Sequence, residues 1–489
     1  MGVNILSKND KVLKNTGIYG IVSVLQKAIQ FFLLPVYTAY LTPKDFGITG
    51  VVGSVVSFLS IFYVLSLNGA VTKFYYDYKD DKEKVKELWG TIFLFVLINS
   101  LALTSIFTVF HKYLLDPFAK GVSFYPYLLL GLISVTLNPC YSIFQSTLQA
   151  RQIGKKFGLN NFLYFLVNLS LTLLFVVGFK LKAAGILLAL AITDIIFFIY
   201  TLIDFTPTIK LKINKPILKK SLDYSLPLLP HSLSGWILAM LDRLFLNNMK
   251  STTDVGIYNT GFQFANIVNI LTTAVNQAFV PWFFENAKEG KEGKRRIIKF
   301  AEYLSIVFAF VALILSLFGK EVLTLMTSNK DFVEGWKVIP FLSFAYAFNG
   351  LYYFFVSPLF YNSKGTRKIP AVTLSNAGLN ALLNALFIPK YGIIGAAVAS
   401  LISMITCSMF ILIVSNKVEP IGYHWKTMYA YTFAFFGLSL VNFLYPYTTP
   451  INLFIIKLLI TFLVMLMIYL THKRDFKYYT KLAFSKIKK

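Results

Sequence analysis

The sequence predicts an all-α polytopic membrane protein with about fourteen transmembrane helices. Of its 489 residues, 56% are hydrophobic, 17% aromatic and only 14% charged, where a soluble domain carries about 25% charged residues. Mean hydropathy is +0.64. The apolar residues gather into fourteen runs, each near the roughly 20 residues that a spanning helix needs.

In order, the runs cover about 16–41, 47–68, 88–110, 124–149, 158–179, 183–205, 222–247, 255–284, 298–318, 336–361, 369–388, 392–416, 427–445 and 450–471. The first is too long for a signal-peptide core and has no small-residue cleavage site, so no cleavable leader is expected. An even number of spans puts both termini on one side. The net charge of +25 does not point to nucleic acid, because Lys and Arg sit in short loops between apolar runs. With the N-terminus taken as cytoplasmic, 34 of the 47 Lys and Arg fall on that side and 10 on the other. By the positive-inside rule both ends are expected to lie in the cytoplasm.

The basic stretch 206–221 divides the chain. The expected organisation is an N-terminal lobe over 1–205, a cytoplasmic linker over 206–221 and a C-terminal lobe over 222–416. Two further spans over 417–471 and a basic tail over 472–489, lying along the anionic inner leaflet, complete it. The halves repeat. Thr42-Pro43-Lys44-Asp45-Phe46-Gly47-Ile48 returns as Thr252-Thr253-Asp254-Val255-Gly256-Ile257, 209 positions on. Ala184-Gly185-Ile186 returns as Tyr391-Gly392-Ile393, 207 positions on. Each match places a Gly where a tight turn between helices asks for one. Parallel six-helix repeats put a substrate path at the interface of the halves.

The stretch Leu226–Asn248 is long enough to span, yet it carries His231, Asp242 and Arg243. A charge at membrane depth costs about 2.5–3.5 kcal/mol on insertion scales and marks a pathway more often than a lipid-facing surface. His231 and Asp242 share a helix face, ~16 Å apart along the axis. Neighbouring residues do not face one another on a helix, so Asp242 and Arg243 are expected to serve different partners. The competing reading is a structural ion pair that fixes helix packing.

Polar stripes mark other spans: Ser23, Gln26, Lys27 and Gln30 on span one, and Asn138, Ser142, Gln145 and Gln149 on span four. Span eight carries Asn259, Gln263, Asn266, Asn269, Thr273 and Asn276, and span eleven Asn376, Asn380 and Asn384. Amides at this depth act as glue between helices or line a hydrated cavity. An amide offers a donor and an acceptor together, which suits sugar hydroxyls. Lys27, Arg243 and Lys457 are intramembrane cations, against which only Asp194 and Asp242 lie well inside spans. A net-positive cavity suits an anion, and phosphate above all. The motifs HExxH, GxSxG and Walker A are absent, and no two of His111, His231, His424 and His472 have ligand spacing. Cys140 and Cys407 lie in apolar runs, as buried thiols do.

Together the opening Asn15-Thr16-Gly17, the turn Leu41–Gly50, the intramembrane Leu241-Asp242-Arg243 and the turn Asp254–Gly261 resemble the polysaccharide transporter, or lipid-linked oligosaccharide (O-antigen type) flippase, family. That family belongs to the multidrug/oligosaccharidyl-lipid/polysaccharide exporter superfamily. The resemblance covers the whole chain. It implies two six-helix lobes in a V around a central cavity, two further C-terminal helices, alternating access, and a polyprenyl-pyrophosphate-linked oligosaccharide as cargo. Lys27 falls where such flippases often place a span-one cation. The superfamily's drug exporters often carry a span-one carboxylate for cation coupling, and span one here has none.

The expected function is therefore a flippase, not an enzyme, that carries this glycolipid from the inner to the outer leaflet for surface polysaccharide biosynthesis. The expected substrate-binding residues are Lys27, Arg243, Asp242, His231, Gln26, Gln30, Asn266, Asn269 and Lys457. No cofactor or metal is expected, and a proton or sodium gradient is the expected energy source. Partners are the glycolipid, membrane lipids and polysaccharide polymerase machinery. The rival readings are a cation-coupled drug exporter, a membrane glycan polymerase or ligase, and a structural membrane partner. A polymerase would be expected to carry a sizeable external loop, but the external loops around 111–123 and 319–335 are short.

Overall fold

The computed structural model describes residues 29, 31, 33–366, 368–447 and 449–487, with side chains apart from those at 363, 364, 445–447 and beyond 471. Helices longer than six residues are numbered here in chain order: α1 (Leu34–Tyr40), α2 (Pro43–Val64), α3 (Leu67–Tyr78), α4 (Lys82–Val109), α5 (Leu129–Ala150), α6 (Gly154–Leu173), α7 (Lys182–Phe205), α8 (Lys215–Ser225), α9 (Leu229–Met249), α10 (Thr252–Ala287), α11 (Gly290–Met326), α12 (Ile339–Tyr361), α13 (Ile369–Val418), α14 (Trp425–Ser439) and α15 (Pro450–Ile487).

Among the described residues, eleven helices are long and apolar enough to cross a membrane. They account for the expected spans apart from the first and the seventh. One of them, the 50-residue α13, breaks at Gly392 (φ +56°) and so holds spans eleven and twelve. Span seven is α9, whose buried charges lower its hydropathy. Most of span one lies outside the described residues. The protein is an all-α multi-pass membrane protein. α15 runs unbroken through the residues expected as a separate tail.

Local chemistry sets the helix starts. At α2, Thr42 Oγ1 accepts from the Asp45 amide (3.2 Å) while the Asp45 carboxylate accepts from the Thr42 amide (3.0 Å), a reciprocal cap. In the second half Ser251 caps α10 by accepting from the Asp254 amide at 3.1 Å. The expected 209-residue repeat thus extends to Ser251 and recurs as a pair of equivalent caps. The second repeat behaves differently. Gly392 does take positive φ, but the turn before α7 is made by Lys180 and Lys182, at φ +55° and +54°. Gly185 instead lies in the first turn of α7. A Cβ there would stand 3.2 Å from the Phe175 carbonyl carbon, so Gly185 serves close packing and not the turn.

The buried core falls into clusters that define the architecture. One cluster draws on both halves, with Val51, Val55 and Leu59 of α2, Leu132 of α5, Trp236 of α9, Tyr258 of α10 and Ile388 of α13. A second belongs to the first half, with Phe74, Trp89, Phe144 and Phe205. A third belongs to the second half and its C-terminal helices, with Phe283, Phe308, Phe348 and Tyr429. The two lobes thus have separate cores and share one buried cluster. The shared cluster lies toward the end that carries the Thr42 and Ser251 caps.

At that end the lobes meet backbone to backbone. A Cβ on Gly47 would stand 1.7 Å from the Thr252 carbonyl oxygen, and one on Gly256 would stand 1.8 Å from that of Pro43. Only glycine permits this approach. At the other end the linker is tied to the first lobe. The Lys210 amide donates to the Lys86 carbonyl (3.1 Å), and Thr91 Oγ1 donates to the Lys212 carbonyl (3.1 Å). Lys210 bridges Glu83 (2.9 Å) and Glu87 (3.1 Å), and its hydrogen bond holds the Glu83 carboxyl below the usual carboxylate range. This exposed contribution is present above that range and lost as pH falls through it. Sequence periodicity did not reveal α8, which packs Tyr224 against Phe74 of α3.

Candidate functional site

The intramembrane charges of α9 form one compact network. Arg243 donates from Nη1 to Asp242 Oδ1 (2.9 Å) and to the Ala239 carbonyl (2.7 Å), and from Nε to Asn259 Oδ1 (2.8 Å). Asp242 also accepts from the Arg243 amide (2.8 Å) and from the Tyr258 hydroxyl. The guanidinium lies 4.2 Å from the Phe262 ring centre. Both charged residues are buried. The expectation that Asp242 and Arg243 serve different partners is therefore corrected. Cβ directions do diverge by ~100°, but the long arginine folds back over the preceding turn and reaches its neighbour's carboxylate. Arg243 Nη2 makes no hydrogen bond among the described residues.

The other expected site residues are scattered. Lys27, Gln26 and Gln30 lie outside the described residues. His231 is exposed near the start of α9. Asn266 and Asn269 are half-buried, with Asn269 Nδ2 donating to Asn266 Oδ1 at 2.9 Å. Lys457 of α15 is fully buried against Glu321 of α11, away from the Asp242–Arg243 network. The sequence count of intramembrane carboxylates left out Glu321 because the apolar run stops near 318, whereas α11 continues to Met326. Lys457 is a paired charge.

The amide stripes divide as well. On α5, Asn138 donates to Asp194 (2.8 Å), Ser142 accepts from Asn68 (3.1 Å) and Gln145 accepts from Asn160 (3.1 Å). On α13, Asn384 donates to Asn380 (3.0 Å), which donates to Ser403 (3.2 Å). These bonds are helix glue inside each lobe, whereas both amide atoms of buried Asn376 have no partner among the described residues. In α10 the buried carbonyl oxygens of Gln263 and Asn276 have no partner among the described residues, as expected of polar groups that take water.

A second buried carboxylate was not among the expected site residues, although its place inside a span was visible. Asp194 of α7 accepts from Ser134, from Asn138 Nδ2 (2.8 Å) and from the Tyr164 hydroxyl (2.8 Å). It is buried and has no cationic partner among the described residues.

This fold is that of a multi-pass helical membrane protein with charges buried between and within its two halves. It superposes on the lipid II flippase MurJ, in an inward closed conformation, with TM-score 0.72 and 16% identity, over 93% of this chain and 99% of that one. An inward-facing multidrug resistance MATE family transporter of the MOP superfamily aligns with TM-score 0.59 and 15% identity, over 81% and 97% of the two chains. The model of the polysaccharide biosynthesis protein family matches residues 12–287, and the chain belongs to that family. The chain is 26% identical over 406 residues to Lsg locus protein 1 of Haemophilus influenzae, covering 79% of this chain and 95% of that protein. It is 23% identical over 418 residues to the capsular polysaccharide biosynthesis protein CapF of Staphylococcus aureus, covering 83% and 98%.

Proposed function

We propose that the protein flips a polyprenyl-pyrophosphate-linked oligosaccharide of a surface polysaccharide from the inner to the outer leaflet by alternating access, and that it is a transporter and not an enzyme. The observation that carries this is the glycine contact between Gly47 and Gly256, which seals one end of the interface between two lobes that keep separate cores. With the termini cytoplasmic, the sealed end faces outside, and at the other end the lobes touch through Ser66 and Ser232, 3.2 Å apart. Family membership and the fold shared with a lipid II flippase support the cargo class.

In this mechanism the Asp242–Arg243 pair presents a neutralised guanidinium whose Nη2 remains for a pyrophosphate oxygen, and Lys27 adds a second cation. One strong cation beside a neutral pair holds the headgroup without trapping it. The test is reconstitution into liposomes with a glycolipid whose sugar carries a fluorescent label. The protein is expected to bring inner-leaflet label within reach of an external membrane-impermeant quencher. Transport of a cationic dye without movement of the glycolipid would favour the drug-exporter reading.

The orientation is tested separately. In a background without Cys140 and Cys407, cysteines at Lys82 and Arg295 are expected to resist impermeant thiol reagents in intact cells. Labelling of Arg295→Cys from outside would invert the topology.

The coupling site we assign to Asp194. An intramembrane carboxylate with neutral donors and no cation is suited to pick up and release a proton. Asp194→Asn is expected to keep normal abundance and to lose the dependence of glycolipid movement on an imposed pH gradient. A variant that still responds to the gradient as wild type does would remove Asp194 from the coupling step.

A further inference from the structure

We propose that the first turns of α11 and the 419–424 loop form a binding site for the phosphate of an anionic lipid headgroup, separate from the transport pathway. The two segments border an open cavity of about 610 Å³ lined by Lys291, Lys294, Arg295, Lys299, Glu302 and His424. Four cations and one carboxylate with a histidine give it a positive interior. Ile298 and Ile421 also line it and supply an apolar floor.

The walls are fixed. Lys294 donates to the Pro420 carbonyl (2.9 Å) and pairs with Glu419 (3.3 Å), which staples the loop to α11. His424 Nδ1 lies 3.1 Å from Glu302 Oε2 and closes the far side. Buried Tyr423 donates to the Phe354 carbonyl at 2.9 Å and anchors the loop from beneath. Lys294 and Glu302 are thus occupied. Lys291 and Arg295, four residues apart and so on one face, are exposed and make no ion pair among the described residues. They are the two cations left for a ligand.

The depth of the cavity favours a lipid. Above it α11 turns apolar at Leu304–Phe308, and Tyr303, exposed Phe300 and exposed Trp425 ring this level. Aromatic side chains gather at the headgroup layer of a bilayer. A phosphate there meets Lys291 as a point charge and Arg295 through two parallel hydrogen bonds, while its acyl chains stay in the adjoining leaflet. Bound lipid would tie α11 to the start of α14 across the loop.

The inference does not rest on the transported cargo, and its test does not involve transport. Thermal unfolding of the purified full chain in neutral detergent is followed with added phosphatidylglycerol, phosphatidylcholine or inorganic phosphate. Phosphatidylglycerol is expected to raise the midpoint by several degrees and phosphatidylcholine to leave it unchanged. The double variant Lys291→Gln, Arg295→Gln is expected to fold with the wild-type midpoint and to lose most of the rise. Arg296→Gln, on the same helix but paired with Glu289, should keep it. An equal rise with inorganic phosphate would make the site one for a soluble phosphate and overturn the lipid assignment. An equal rise with phosphatidylglycerol in the double variant and in wild type would overturn the site.

Discussion

Gly256→Ala is expected to stop glycan export while the protein remains abundant in the membrane. The methyl group would stand 1.8 Å from the Pro43 carbonyl oxygen and 3.0 Å from the Gly47 amide nitrogen. Both are backbone atoms on capped helices, so neither can rotate aside as a side chain would. Overpacking of this kind costs about 1–3 kcal/mol, and here the cost falls on one conformation only. When α2 and α10 separate, the clash vanishes. The substitution therefore acts on the closed-to-open ratio, which a cost of that size shifts by roughly 5- to 150-fold. Gly47→Ala should do the same, since its methyl would meet the Thr252 carbonyl oxygen at 1.7 Å. Two measurements check this. Surface polysaccharide should fall to background at unchanged membrane abundance. A cysteine at Asn266, in a background without Cys140 and Cys407, should gain reactivity from outside. If Gly256→Ala exports normally and Asn266→Cys stays protected, the seal lies elsewhere.

The reason those glycines matter was half visible in the sequence. The 209-residue repeat of D-x-G-I placed equivalent turns in both halves, and the structure adds the matching caps at Thr42 and Ser251. That the two turns touch each other depends on how the lobes meet, and no periodicity records it. The spans were legible because hydropathy is a local property. Partners were not. Asn138 looked like one member of a stripe, and only packing of α5 against α7 reveals that it holds Asp194. Lys457 looked uncompensated because Glu321 lies beyond the apolar run that defined its span. Asp242 and Arg243 were expected to serve different partners on a rule about Cβ directions, which says little about a side chain as long as arginine.

Arg243→Ala is expected to lower protein abundance sharply, and Asp242→Asn combined with it is expected to restore abundance without restoring export. Removing the guanidinium leaves the Asp242 carboxylate with the Tyr258 hydroxyl and a backbone amide, buried and unpaired. Breaking a buried pair from one side costs about 3–5 kcal/mol, whereas removing both charges is often neutral. Asn259 would also lose its donor, and the face of Phe262 its cation. Abundance thus reports the framework role of the pair. Export reports whether Arg243 also touches the glycolipid. The double variant lacks the open Nη2 and so forfeits one charge-assisted hydrogen bond to pyrophosphate, about 1.5–3 kcal/mol, or roughly a ten- to hundredfold loss in affinity. Arg243→Lys keeps the charge but cannot reach Asp242, Ala239 and Asn259 together with a single ammonium in this geometry, so it should recover abundance in part and export less. Membrane abundance and surface polysaccharide measured on the same cells separate the two roles. Full export by an abundant Asp242→Asn, Arg243→Ala variant would leave the pair a purely structural strut and would move the pyrophosphate contact to other residues.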